Sequence, residues 1–159
     1  MRKIADLVSL AALGVVAFIA INAFYGPRRL PARIPTHFDL AGHVNGWGSP
    51  ATLLYMPVIA LGLYLLLAIV SRFPSAFNYP VRVTDQNRKQ LEALALDLLS
   101  LTRAEMLVFF AWMEFSMVEA ARSPEPVFKL YPVVVFVAVL LGTVIGYFAA
   151  MFRAAKAGP

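Results

Sequence analysis

The chain contains no cysteine, which excludes disulfides, thiolate zinc sites and thiol nucleophiles. Histidine is scarce, with only His37 and His43, and only 14% of the residues are charged. There is no Gly-x-x-x-x-Gly-Lys loop, no His-Glu-x-x-His pair and no Gly-x-Ser-x-Gly elbow, so the common routes to phosphate binding and hydrolysis have no support. Ser49, Ser71 and Ser116 have no recognisable histidine and carboxylate partners in the sequence. The expectation is a protein that is not an enzyme and carries no cofactor. What the chain has instead is apolar surface: 60% of its 159 residues are hydrophobic and the mean hydropathy is +0.73. Too few polar groups remain to cover a water-exposed globule, so the missing polar surface implies a lipid-facing one.

The formal charge of +5 and the sequence pI near 9.8 are distributed without any dense basic run. Lys and Arg flank apolar blocks, which excludes a nucleic-acid partner and points to the lipid bilayer, through membrane topology and contact with anionic headgroups.

Four helices follow from the apolar blocks. Met1-Arg2-Lys3 precedes the first, at about residues 4–25, and the run from Leu7 to Gly26 is long enough to span a bilayer. No Ala-x-Ala-like site precedes Arg28 and Arg29, so a retained signal-anchor is expected rather than a cleaved leader. Residues 26–49 form a polar loop with Pro31, Pro35, Gly42, Gly46 and Gly48 too closely spaced for a helix. Ser49-Pro50 gives a cap and a proline at the first helical position, opening a second helix over about 50–71. Pro57 within it predicts a kink, because the carbonyl of Leu53 loses its donor.

A polar connection over 72–84 ends at Thr84 and Asp85, which are helix-start residues. Leu91, Leu94, Leu98 and Leu101 recur at spacings of three and four, predicting an amphipathic stretch in or near the interface that runs into a third helix over about 85–122. This helix is the weakest span, because Arg103, Glu105, Glu114, Glu119 and Arg122 interrupt or bound it. A fourth runs over about 130–153. The expected architecture is a single all-α membrane domain over 1–159, a polytopic integral membrane protein with four transmembrane helices and a Pro/Gly-rich outer loop between helices 1 and 2. Nine Lys and Arg residues then share the side of the termini and five share the other, namely Arg28, Arg29, Arg33, Arg122 and Lys129. That asymmetry places both termini in the cytoplasm.

The loop has the composition of a rigid recognition element, although a loop that merely caps the bundle accounts for the same residues. Pro31 and Pro35 keep their neighbours extended, and Trp47 stands where an indole marks the membrane interface. His37, Asp39 and His43 supply three donors that a metal could take; the competing reading is a hydrogen bond from His37 to a turn carbonyl or to Asn45. Glu114 faces either the bundle interior, where Arg103 or Arg33 could pair with it, or the outer headgroups beside Trp112. Gly142-x-x-x-Gly146 permits close helix approach, within the chain or in a homodimer.

The run Leu30-Pro31-Ala32-Arg33-Ile34-Pro35-Thr36-His37-Phe38, followed by Gly42, Asn45, Gly46 and Trp47, resembles a bacterial membrane domain of unknown function. That domain also forms the N-terminal part of the SdpI-type immunity proteins, which protect against a membrane-active peptide toxin. The likeness continues at Phe77-Asn78-Tyr79-Pro80-Val81 with Thr84 and Asn87, as in stand-alone members of similar length. Asn45 stands where the family frequently has Asp, so a role requiring a carboxylate is not available there. The resemblance implies a membrane fold and the bacterial inner membrane. The composition of the loop itself leads to the first expectation, an outer loop that senses a ligand, lipid or peptide or supports a membrane-protein partner, through Arg33, His37, Phe38, Asn45 and Trp47. Immunity against a membrane-active peptide and a metal-dependent membrane enzyme are the alternatives.

Overall fold

The computed structural model describes residues 1–156, so residues 157–159 of the expected single domain lie outside it. Four helices dominate: α1 (Arg2–Tyr25), α2 (Tyr55–Val70), α3 (Arg88–Arg122) and α4 (Tyr131–Lys156). Between α1 and α2 stands an antiparallel hairpin, β1 (Ile34–Phe38) and β2 (Val44–Gly48). The loop expected between the first two helices therefore contains two strands, and the chain is mostly helical rather than purely so. Loop composition concealed them because each is only five residues long and interrupted by Pro or Gly.

The helix starts follow local chemistry. Ser49 Oγ accepts the N–H of Ala51 and Pro50 opens a 3-10 turn, Pro50–Leu54, that leads into α2. Pro57 lies in the first turn of α2, where a missing N–H costs least. The change from 3-10 to α geometry thus falls where a mid-helix kink was expected. Before α3, Thr84 Oγ1 accepts the N–H of Asn87 at 3.3 Å and Asn87 Oδ1 accepts that of Thr84 at 2.8 Å. This reciprocal pair satisfies two donors at the entry to the helix.

Side-chain pairs fix the relative heights of the helices. Arg2 meets Asp97 at 2.9 Å, Asp6 accepts from Ser100 and Arg103, Ala12 and Val16 pack with Leu107, and Ala23 packs with Val118 and Ala121. α1 and α3 therefore run parallel along the whole of α1. Leu53 shares the layer of Ala23, and Ala60 that of Val16, so α2 runs the opposite way. Phe136 stacks on Phe109, Thr143 Oγ1 donates to Glu105 at 2.6 Å, and Met151 and Ala154 pack with Leu91 and Ala95. α4 is thus antiparallel to α3, and its end returns to the end where α1 begins.

α3 is the hub, packed against α1, α2 and α4. Its amphipathic N-terminal part is continuous with the rest of the helix, and its apolar stripe is covered by α4 and by Phe77, Tyr79, Val81 and Val83 of the connection. By length and apolarity three segments can cross a membrane: Arg2–Tyr25, Pro50–Val70 and Tyr131–Lys156. α3 carries too many charges to meet that composition criterion; among them Arg103 is buried, is held by Asp6, and lies 5.1 Å from the Tyr64 ring centroid.

Candidate functional site

The hairpin turn is organised by Asp39. Its Oδ1 accepts the backbone N–H of Ala41 at 2.9 Å and of His43 at 2.8 Å, while its own N–H donates to the His43 carbonyl. The His43 backbone bond, reinforced by that of Ala41 and by the His43 ring, holds the Asp39 carboxyl below the usual carboxylate range. Gly42 completes the turn with φ +85°, and a Cβ there would lie 2.1 Å from the carbonyl oxygen of Phe128. Only glycine combines that dihedral with so close an approach.

The close approach is a docking contact between the two connections at this end of the bundle. Phe128 N–H donates to the Gly42 carbonyl at 2.9 Å, and His43 bridges Val127. Below them, aromatic rings continue from the hairpin into the helices: Phe38 to Phe128 at 5.2 Å, Phe128 to Trp112 at 5.5 Å, and Trp112 to Phe109 at 5.6 Å. Ile34 is buried beneath the sheet, against Ala23, Leu53 and Val118. The hairpin is thereby anchored along its inner face.

Its other face is free. His37, Asn45 and Trp47 are exposed, Trp47 by half, and Arg33 is exposed just before β1. His37 Nδ1 is hydrogen-bonded to Asn45 Oδ1 across the strands, the pairing anticipated as the alternative to metal binding. His37 opposes Gly46, where a Cβ would come within 2.9 Å of the His37 Cβ, so a larger residue there would displace the imidazole. The arrangement offers a hydrogen-bonding pair beside an indole on a fixed backbone.

Of the residues expected to bind, Phe38 is turned inward and serves the aromatic anchor. His37, Asp39 and His43 are not gathered into a metal site: Asp39 approaches His43 at 3.5 Å while His37 engages Asn45. Among the described residues no group of three His, Cys, Asp or Glu side chains is placed to hold a metal ion. Glu114 is fully buried in α3, and neither carboxyl oxygen has a hydrogen-bond partner among the described residues. The position at the headgroups beside Trp112 is therefore not the one adopted, and Arg103 pairs with Asp6 instead. For Gly142 and Gly146 the first of the two expected uses, close approach within the chain, is not found. No atom lies within 4 Å of where their Cβ atoms would be, so close packing within the chain does not use them; α4 meets α3 through Phe136, Thr143 and Met151, on other faces.

Phe128 is not singled out by the sequence as part of this site, and Asp39 reads in the sequence as a metal donor rather than as the organiser of the turn. The role of Phe128 depends on contact with Phe38 and Gly42, more than 80 residues away, and no local pattern announces it.

Residues 12–61 match the family model described as Domain of unknown function (DUF1648). The match runs from the middle of α1 through the hairpin into α2, in agreement with the resemblance to a membrane domain of unknown function. No curated protein and no solved structure matches the chain.

Proposed function

We propose that this chain is a membrane protein of the bacterial cytoplasmic membrane that crosses the bilayer four times, with both termini in the cytoplasm. On this reading it recognises a ligand through the outward face of its hairpin. The support for four crossings is the alignment of α3 with α1: Arg2 to Ala23 is matched from Asp97 to Ala121. A helix parallel to a spanning helix over that length traverses the same layer, and its mid-helix charges Arg103, Glu105 and Glu114 are turned toward protein.

The observation that carries the recognition role is the hydrogen-bonded His37–Asn45 pair beside half-exposed Trp47, on a hairpin fixed from beneath by Phe38, Phe128 and Trp112. Residues needed only to hold the hairpin would face inward, as Ile34 and Phe38 do. An imidazole and an amide offer polar contacts, an indole offers a broad apolar surface, and Arg33 adds charge at the edge. Peptides combine those complementary groups, and a pre-formed surface binds them with little loss of conformational entropy. The role is one of binding, with no chemical transformation assigned to it.

A test uses the full chain in lipid nanodiscs, panned against a random peptide library. Wild type is expected to enrich a set of peptides that the His37→Ala, Trp47→Ala double variant no longer retains, while insertion and thermal midpoint stay unchanged. Equal retention by both proteins would remove the hairpin face as the recognition surface.

A further inference from the structure

A second feature lies beside the hairpin, where the chain leaves α1 and where α3 ends. Arg28, Arg29 and Arg122 line one groove of about 760 Å³, together with Leu30, Pro31 and Pro124. Arg122 is held in place by an Nη2 donor bond of 3.0 Å to the Arg28 carbonyl, and its buried Nε has no hydrogen-bond partner among the described residues. None of the three guanidinium groups forms an ion pair: the pairs among the described residues are Arg2–Asp97, Asp39–His43 and Asp6–Arg103. The nearby acids in sequence, Glu119 and Glu125, line a neighbouring cavity of about 410 Å³ with Lys129 and do not line the groove.

Three like charges around one concavity repel each other, and the repulsion is relieved when an anion occupies the space between them. Guanidinium forks match the oxygens of phosphate in geometry and charge. The level of the groove narrows the source. It begins just beyond Tyr25, where an apolar helix long enough to cross a bilayer ends, which is the depth of phospholipid headgroups. Leu30, Pro31 and Pro124 give the groove an apolar part that suits the glycerol and upper acyl region.

We propose that Arg28, Arg29 and Arg122 form a phosphate-binding groove occupied by the headgroup of an anionic phospholipid. The assignment rests on the membrane location and is independent of the hairpin as a recognition surface. Phosphatidylcholine carries the same phosphate but adds an ammonium group that the three arginines repel, so the site discriminates by net headgroup charge.

The test titrates the purified full chain, in dodecyl maltoside, with dioctanoyl phosphatidylglycerol, dioctanoyl phosphatidylcholine and inorganic phosphate, reading bound lipid by native mass spectrometry and affinity by thermophoresis. Saturable binding of the glycerol lipid is expected, weakened at least about fivefold by Arg28→Gln with Arg29→Gln and similarly by Arg122→Gln. Arg28 and Arg29 are exposed, so their double variant keeps its fold and decides the matter if Arg122→Gln unfolds. An unchanged affinity in the double variant, or equal affinity for the two lipids, overturns the proposal. Inorganic phosphate binding as tightly as the glycerol lipid overturns the lipid source and assigns the groove to a free anion.

Discussion

Glu114 sits in the longest helix with both carboxyl oxygens buried and unpaired among the described residues. Leaving polar atoms without partners costs about 1–3 kcal/mol, so an apolar side chain of similar length should relieve that cost. Glu114→Met is expected to raise the thermal midpoint of the chain in detergent; a lower midpoint would reveal that the carboxyl group is engaged. Asp39 has the opposite character, an exposed carboxylate with a defined task. Its folded pKa lies below the unfolded value, so its contribution to the turn is complete above the usual carboxylate range and disappears as pH falls through the lowered value. Amide hydrogen exchange at Ala41 and His43, corrected for the intrinsic pH dependence, should therefore show constant protection from neutral pH to the usual carboxylate range. Protection should decline only below that range, and Asp39→Ala should remove it throughout. Protection in the variant equal to wild type would exclude Asp39 as the organiser of the turn.

At the scale of elements, the hairpin gains its rigidity from docking as well as from its own ladder. A two-stranded ribbon is marginal alone in water, and two bulge-like shifts in register interrupt this one between Pro35 and Phe38. The Gly42 to Phe128 hydrogen bond and the Phe38–Phe128–Trp112 rings supply what the ladder lacks. Gly42→Ala would place a methyl group against the Phe128 carbonyl at a positive φ and should cost about 1–3 kcal/mol. The expected readout is a lower thermal midpoint accompanied by loss of the near-ultraviolet circular dichroism of Trp112. A midpoint and spectrum like those of wild type would mean that the two connections do not depend on each other. α3 illustrates the same dependence in the helices. Its polar side chains are accommodated because α1, α2 and α4 surround it, with Asp6 and Thr143 meeting Arg103 and Glu105.

For the whole molecule, the alternating helix directions place the hairpin and the α3–α4 connection at one end and the α2–α3 connection with the end of α4 at the other. The absence of cysteine makes single-cysteine labelling direct. With a membrane-impermeant maleimide, Ala41→Cys and Glu125→Cys are expected to react from one side of the membrane, and Ser75→Cys and Lys156→Cys from the other. Reaction of Glu125→Cys from the side of Ser75→Cys would show that α3 does not cross and would overturn the four-crossing reading.

The apolar runs that became α1, α2 and α4 were legible residue by residue, because twenty consecutive residues without charge have few fates other than a lipid environment. Ser49-Pro50 and Thr84 marked helix entries for an equally local reason, since capping involves atoms only a few residues apart. The His37–Asn45 pairing was also within reach of the sequence, eight residues apart in one short loop. The strands were not, and neither were the inward turn of Phe38, the unused faces of Gly142 and Gly146, or the convergence of Arg28 and Arg29 with Arg122. Each depends on which distant segment arrives alongside. By itself the sequence determined the apolar segments, their caps and the polar segment that carries the candidate site. Only the tertiary structure decided that α3 stands at the centre, that Glu114 is enclosed and that the hairpin is locked to Phe128. Burial and anchoring are properties of neighbours brought together across the chain, and a one-dimensional pattern does not specify them.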